Sequence, residues 1–166
     1  MKKKIIILGI TILLLIGCSM SNNPTSKVED LLSKYQRIDN DISNGINNVL
    51  EEQNLTDNHK ERYRKLLEDQ YKNMSYEIKE ETIDGNNATV IVEIEVLDYK
   101  SSINDLSFDS SIYTKESFDE EKLTRLENTK NKVTYTLELS LTKDKEGTWK
   151  LNALTNEQIK KIQGMY

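Results

Sequence analysis

Cys18 is the only cysteine and His59 the only histidine of the 166 residues. The two side chains best suited to nucleophilic or metal chemistry therefore occur once each. His59 sits in "TDNHKERY", a strongly polar run at the start of a helical pattern, and reads as an exposed helix-start residue. The common zinc sets need three or four Cys, His or carboxylate ligands, so no metal centre is expected. No Ser-His-Asp arrangement and no Gly-rich phosphate loop is recognisable. Glu93 and Glu95 alternate on one strand and share a face. Two carboxylates flanking a cleft can cleave a glycosidic bond, but this spacing fits the polar face of a half-buried sheet. The run "DNDISNGINNVLEE" (39–52) approaches a calcium loop, which wants Gly at position 6 and Glu at position 12. Counted from Asp39, Gly45 and Glu51 each fall one residue late. No catalytic residue and no cofactor is assigned, and a non-enzymatic protein is expected. The alternative, an enzyme acting on cell-envelope material, would need a cleft with two convergent titratable groups.

The flanks of Cys18 give it another role. Lys2, Lys3 and Lys4 precede an unbroken apolar run, Ile5 to Ile16, and then Gly17, Cys18 and Ser19. Charge, apolar run and small residues in that order make a secretory signal peptide. The run is short of the ~20 residues needed to span a bilayer; an uncleaved signal anchor is the alternative. Leu15-Ile16-Gly17-Cys18 resembles the lipobox of bacterial lipoproteins. The resemblance implies a diacylglyceryl group on the Cys18 sulfur and cleavage that makes Cys18 the first residue, anchored at the extracytoplasmic face of the cell membrane. Each buried methylene contributes about 0.8 kcal/mol, so two acyl chains hold firmly where one does not. The expected division is 1–17 signal peptide, 18–26 lipidated Cys and polar tether, and 27–166 a single domain.

Removing three lysines leaves 20 cations against 28 carboxylates, a net charge of −8. That disfavours nucleic acid, which needs clustered Lys and Arg. Mean hydropathy is −0.65 with the apolar run included. One Pro and six Gly argue against a low-complexity chain.

Residues 19–26, with the only proline, read as a linker. Val28, Leu31, Leu32, Tyr35, Ile38, Ile42, Ile46, Val49 and Leu50 recur at helical spacing, with a break expected near Asn44-Gly45. A second helix starts at Thr56 or Asp57 and carries Tyr63, Leu66, Leu67, Tyr71 and Met74. Strands follow: one from Tyr76, a turn at "IDGNN" (83–87), and a return over Thr89 to Tyr99. Lys132 to Thr142 alternates cleanly, "KDKEG" (143–147) turns, and Trp149 and Leu151 mark a fourth strand. Between strands two and three, residues 100–131 are polar, with a helix expected over 116–129 from a Ser117/Glu120 capping box. Thr155 and Gln158 open a short last helix.

The fold class expected is α+β. N-terminal helices should pack on one face of a four-stranded antiparallel curved sheet, with a helical insertion between strands 2 and 3 and a short C-terminal helix. This order resembles the cystatin-like, nuclear-transport-factor-like cone, in which helix and curved sheet can enclose a pocket. Eight tyrosines against two phenylalanines suit a partly polar pocket, because each ring brings a hydroxyl that needs a partner. Tyr35 and Tyr135 are the candidate ligand contacts, between the first helix and the sheet. The functional expectation is a membrane-anchored lipoprotein that binds a small molecule or a partner protein near the membrane. Residues 100–131 are the alternative contact, expected to be removable without unfolding the rest.

Overall fold

A computed structural model describes residues 22–53 and 55–166; Cys18 and the apolar run before it lie outside them. The elements are α1 (Pro24–Arg37), α2 (Asn40–Glu52), α3 (Asp57–Lys72), β1 (Ser75–Asp84), β2 (Asn87–Leu97), α4 (Tyr99–Ser102), α5 (Lys115–Glu127), β3 (Lys132–Lys143), β4 (Trp149–Leu151) and α6 (Asn156–Ile162). The four strands form one open antiparallel sheet in the order β1-β2-β3-β4. The α+β class, the insertion and the C-terminal helix are as expected.

The period-2 pattern selects the core face. Val90 pairs with Leu139, Val92 with Leu137 and Ala88 with Leu141, and all six side chains are buried. Val28 and Leu32 of α1 are fully buried as part of the same core. The opposite face carries Thr134, Thr136, Glu138, Ser140 and Thr142 of β3, all exposed. Gly85, at φ 59°, makes the two-residue turn between β1 and β2. A register shift between Ile78 and Glu80 bends β1, and its charged side chains guard the sheet edge.

The helix boundaries depart from expectation in three places. The proline opens α1 instead of marking a linker, because its missing N–H costs nothing at the first helical position. Asn23 caps that helix, and Glu81 of β1 accepts from Thr25 N at 2.9 Å and Thr25 Oγ1 at 2.7 Å. This carboxylate supplies the N-terminal negative charge that the first turn of α1 lacks. The break in the first helical pattern falls at Ile38, in the left-handed region at φ 52°, and not at Asn44-Gly45. Asp39 then caps α2 through Ile42 N at 3.1 Å. Residues 40–52 are continuous helix, so the run resembling a calcium loop has no loop geometry. Finally, Thr114 and Ser117, rather than Ser117 and Glu120, make the capping box of α5.

Two buried contacts tie the C-terminal part to the sheet. Gln70 of α3 accepts from Leu97 N at 2.9 Å and donates to the carbonyls of Leu97 and Gln163 at 2.8 and 3.1 Å. Gly164, at φ 69°, lies against Leu97 O and Gln70, where a Cβ has no room. β4 pairs with only three residues of β3. Beyond it, Gln158 and Lys161 of α6 donate to the carbonyls of Glu138 and Thr136 and cover the open edge. Among the described residues, no helix is long and apolar enough to cross a membrane.

Candidate functional site

The connection between β2 and β3 spans 34 residues (98–131). Its root is closed by Asp98 N donating to Asn131 O at 2.9 Å and Thr129 Oγ1 donating to Ser102 Oγ at 2.7 Å. Its inner layer is core: Tyr99, Leu123 and Leu126 are buried. Burial lifts the Tyr99 hydroxyl to about 12, and that hydroxyl donates to Leu66 O at 3.3 Å. Residues 100–131 are therefore not removable, contrary to expectation, because their deletion would strip Leu123 and Leu126 from the interior and uncover Tyr99 beside them.

An ionic clamp fastens α5 to α3. Arg62 Nε and Nη2 hold both oxygens of Glu127 at 2.8 and 2.9 Å, and Nη1 reaches Glu120 Oε2 at 2.6 Å. This fork geometry suits arginine and not lysine. Hydrogen bonds from Arg62 hold both carboxylates below the usual glutamate range, and the same bonds raise the Arg62 guanidinium. Arg62, Leu66 and Glu127 line a shallow cleft of about 260 Å³, but the guanidinium is already engaged there.

His59 corrects the sequence reading. It is 4 % exposed, not a surface residue. Thr56 caps α3 at His59 N, at 3.4 Å, and α5 closes over the ring. Nε2 lies 3.0 Å from Glu120 Oε2. An ionised carboxylate only accepts, so Nε2 carries the hydrogen and Nδ1 is left buried without a partner among the described residues. The polar neighbours of His59 in sequence hid this, because the element that buries it lies 61 residues away.

The outer layer of the insertion is apolar and open. Phe118 receives Phe108 and Tyr113 edge-on, with centroids 5.4 and 5.6 Å apart. Phe108 is 54 % and Ile112 71 % exposed. Asp109 accepts from Ser111 N and Oγ and shapes the turn between them; those bonds hold its carboxyl below the usual range. Phe118 falls within the helix expected over 116–129, an expectation that gave it no surface role. The spacing of Phe108, Ile112 and Tyr113 in an otherwise polar run was the available signal.

The other candidates fall elsewhere. Tyr35 stacks edge-on against Tyr71 at 5.0 Å, and burial raises its hydroxyl. Tyr135 stacks against Tyr166 at 5.8 Å and donates to Tyr166 O at 3.0 Å. Each thus has its own aromatic partner, on α3 and at the C-terminal segment respectively. Glu93 and Glu95 lie on the uncovered sheet face. Lys79 bridges Glu77 and Glu93 at 2.6 and 2.8 Å, and Lys132 holds Glu95 at 2.6 Å. They act as two separate ion pairs, not as a carboxylate pair. Among the described residues, no group of three or more His, Cys, Asp or Glu is placed to hold a metal ion.

The chain matches no family model, no curated protein and no solved structure.

Proposed function

We propose that the chain is a lipid-tethered, non-enzymatic binding protein at the extracytoplasmic face of a cell membrane, and that residues 100–131 are its contact for a partner protein. The observation that carries this reading is the exposed Phe108–Ile112 surface on an insertion braced from beneath. Large apolar side chains clustered in the open mark interaction sites more than scattered ones do. A surface that is to bind without ordering cost must be rigid, and the Arg62 clamp and the buried Leu123 and Leu126 supply that. The carboxylates best placed for acid–base work, Glu93, Glu95, Glu120 and Glu127, are each engaged by a cation. That supports binding over hydrolysis.

The attachment geometry fits. Asn22 donates to Gly147 O at 2.9 Å and accepts from Trp149 N at 3.0 Å, so the chain enters at the sheet end that carries both hairpin turns. Cys18 lies four residues earlier, a reach of at most ~14 Å. The insertion leaves and rejoins the sheet at the other end, roughly 35 Å away along β2. Lipid on Cys18 would hold the hairpin end at the bilayer and leave the root of the insertion clear of it.

Two measurements on the full chain test this. Cys18→Ala should release the protein from the membrane fraction or leave it unprocessed; unchanged processing and fractionation would sink the anchor. A photo-crosslinking residue at Ser110 should give a discrete protein adduct on intact cells, and one at Ser140, on the uncovered sheet face, should not. Equal labelling from both positions would remove the insertion as the contact.

A further inference from the structure

We infer that the surface formed by Phe108, Ile112, Tyr113 and Phe118 docks a cationic polypeptide segment, one in which Lys or Arg flank an apolar or aromatic anchor. The inference rests on the proposed role of residues 100–131 as contact and adds the chemistry of the partner.

Charge argues for it. Residues 103–121 contain six carboxylates and one lysine, a net of −5 out of −8 for all residues after the first four. More than half of the net negative charge is therefore gathered in 19 residues around the aromatic cluster. Adding the neighbouring Arg62, Lys122, Arg125 and Glu127 gives seven carboxylates against four cations, still −3. The cations face inward duties: Arg62 clamps Glu120 and Glu127, and Arg125 holds Glu121 and Asp105. Lys122 is turned over the Tyr63 ring. Ion pairs thus engage Asp105, Asp119, Glu120 and Glu121, and the rim of the rings keeps the segment's net negative charge, with Asp109 held by Ser111 between Phe108 and Ile112.

Rings supply the second half of the recognition. An exposed aromatic surface binds aliphatic and aromatic anchors by burial and cations over ring faces. The negative rim steers a basic segment to it and repels acidic ones. Anionic lipid headgroups and a second copy of this acidic chain are disfavoured by the same repulsion.

The test uses the full-length protein in neutral detergent and three probes. These are a fluorescent twelve-residue peptide with one Trp among lysines, the same peptide with glutamates, and phosphatidylcholine vesicles. The lysine peptide should bind about tenfold or more tighter than the glutamate peptide at low salt, and the ratio should shrink as salt rises. Phe108→Ser and Ile112→Ser should each weaken it by roughly five- to tenfold, with thermal unfolding unchanged for Ile112→Ser. If the glutamate peptide binds as well or better and still depends on Phe108, the cationic chemistry is wrong while the contact surface stands. If neither peptide responds to either substitution, the contact surface falls as well. Vesicle binding lost on Ile112→Ser would make the surface a lipid contact, and self-association lost on Ile112→Ser a homotypic one. Either would overturn the inference.

Discussion

β2 is joined to β1 by two residues and to β3 by 34. Both pairs are antiparallel and both are long ladders. A hairpin needs only the first kind of link, and structureless loops of the second length are rare in compact domains. The difference shows where surplus chain has been placed. The short link is a turn with one positive-φ glycine. The long one is a two-layered element, with Leu123 and Leu126 in the core and Phe108 and Ile112 in the open.

The largest expected effect tests the inner layer. Leu123→Ala should cost about 2–5 kcal/mol in denaturant unfolding, as should Leu139→Ala in the sheet core. A small loss for Leu123 alone would make the insertion an appendage. Next, Gln70→Leu should cost about 1–3 kcal/mol, because it strands the N–H and C=O of Leu97 at the root of the insertion. Amide exchange at Leu97 should rise with it, and an unchanged rate would argue against that role.

The clamp should matter less, and mostly locally. Arg62→Gln should raise amide exchange in α5 by about two- to fivefold and leave the sheet amides unchanged. Acid should act in the same place. The folded-state carboxyls of Glu120 and Glu127 are depressed, so the stabilisation they give is present above the ordinary value of 4.5 and is lost as pH falls below it. Protection factors in α5, with the intrinsic pH dependence of amide exchange divided out, should therefore fall below about pH 4.5 and stay flat from there to neutrality. A fall beginning above that range would point to another group. The smallest effect belongs to the outer layer: Ile112→Ser should change stability by no more than ~0.5 kcal/mol. A larger loss would place Ile112 in the core and remove it from the contact surface.

Much of the frame was readable from period and punctuation. Val90 to Val96 and Val133 to Leu141 alternate, so both the ladder and its buried face follow from side-chain direction in a strand. Thr155 and Gln158 make the expected reciprocal bonds. The boundary at Ile38 was missed because a left-handed isoleucine carries no signal that glycine would have carried. Thr114 was missed as a cap because a serine three residues on, in place of Glu or Gln, closes the box. Of the candidate site, the aromatic residues were visible but their convergence was not. The burial of His59 was hidden altogether, since it depends on a helix distant in sequence.

What the chain determines by itself is local: alternation sets the sheet, capping residues set most helix starts, and the run before Cys18 sets the expectation of a lipid anchor. What tertiary structure alone decided is which side of residues 98–131 faces in. That choice depends on Arg62, His59 and Leu66 of α3 meeting Glu120, Glu127 and Tyr99 across gaps of 33 to 65 residues. Side-chain period encodes a face only within one element. Which partner covers that face is settled by packing between elements, and here that packing buried the histidine and left the phenylalanine outside.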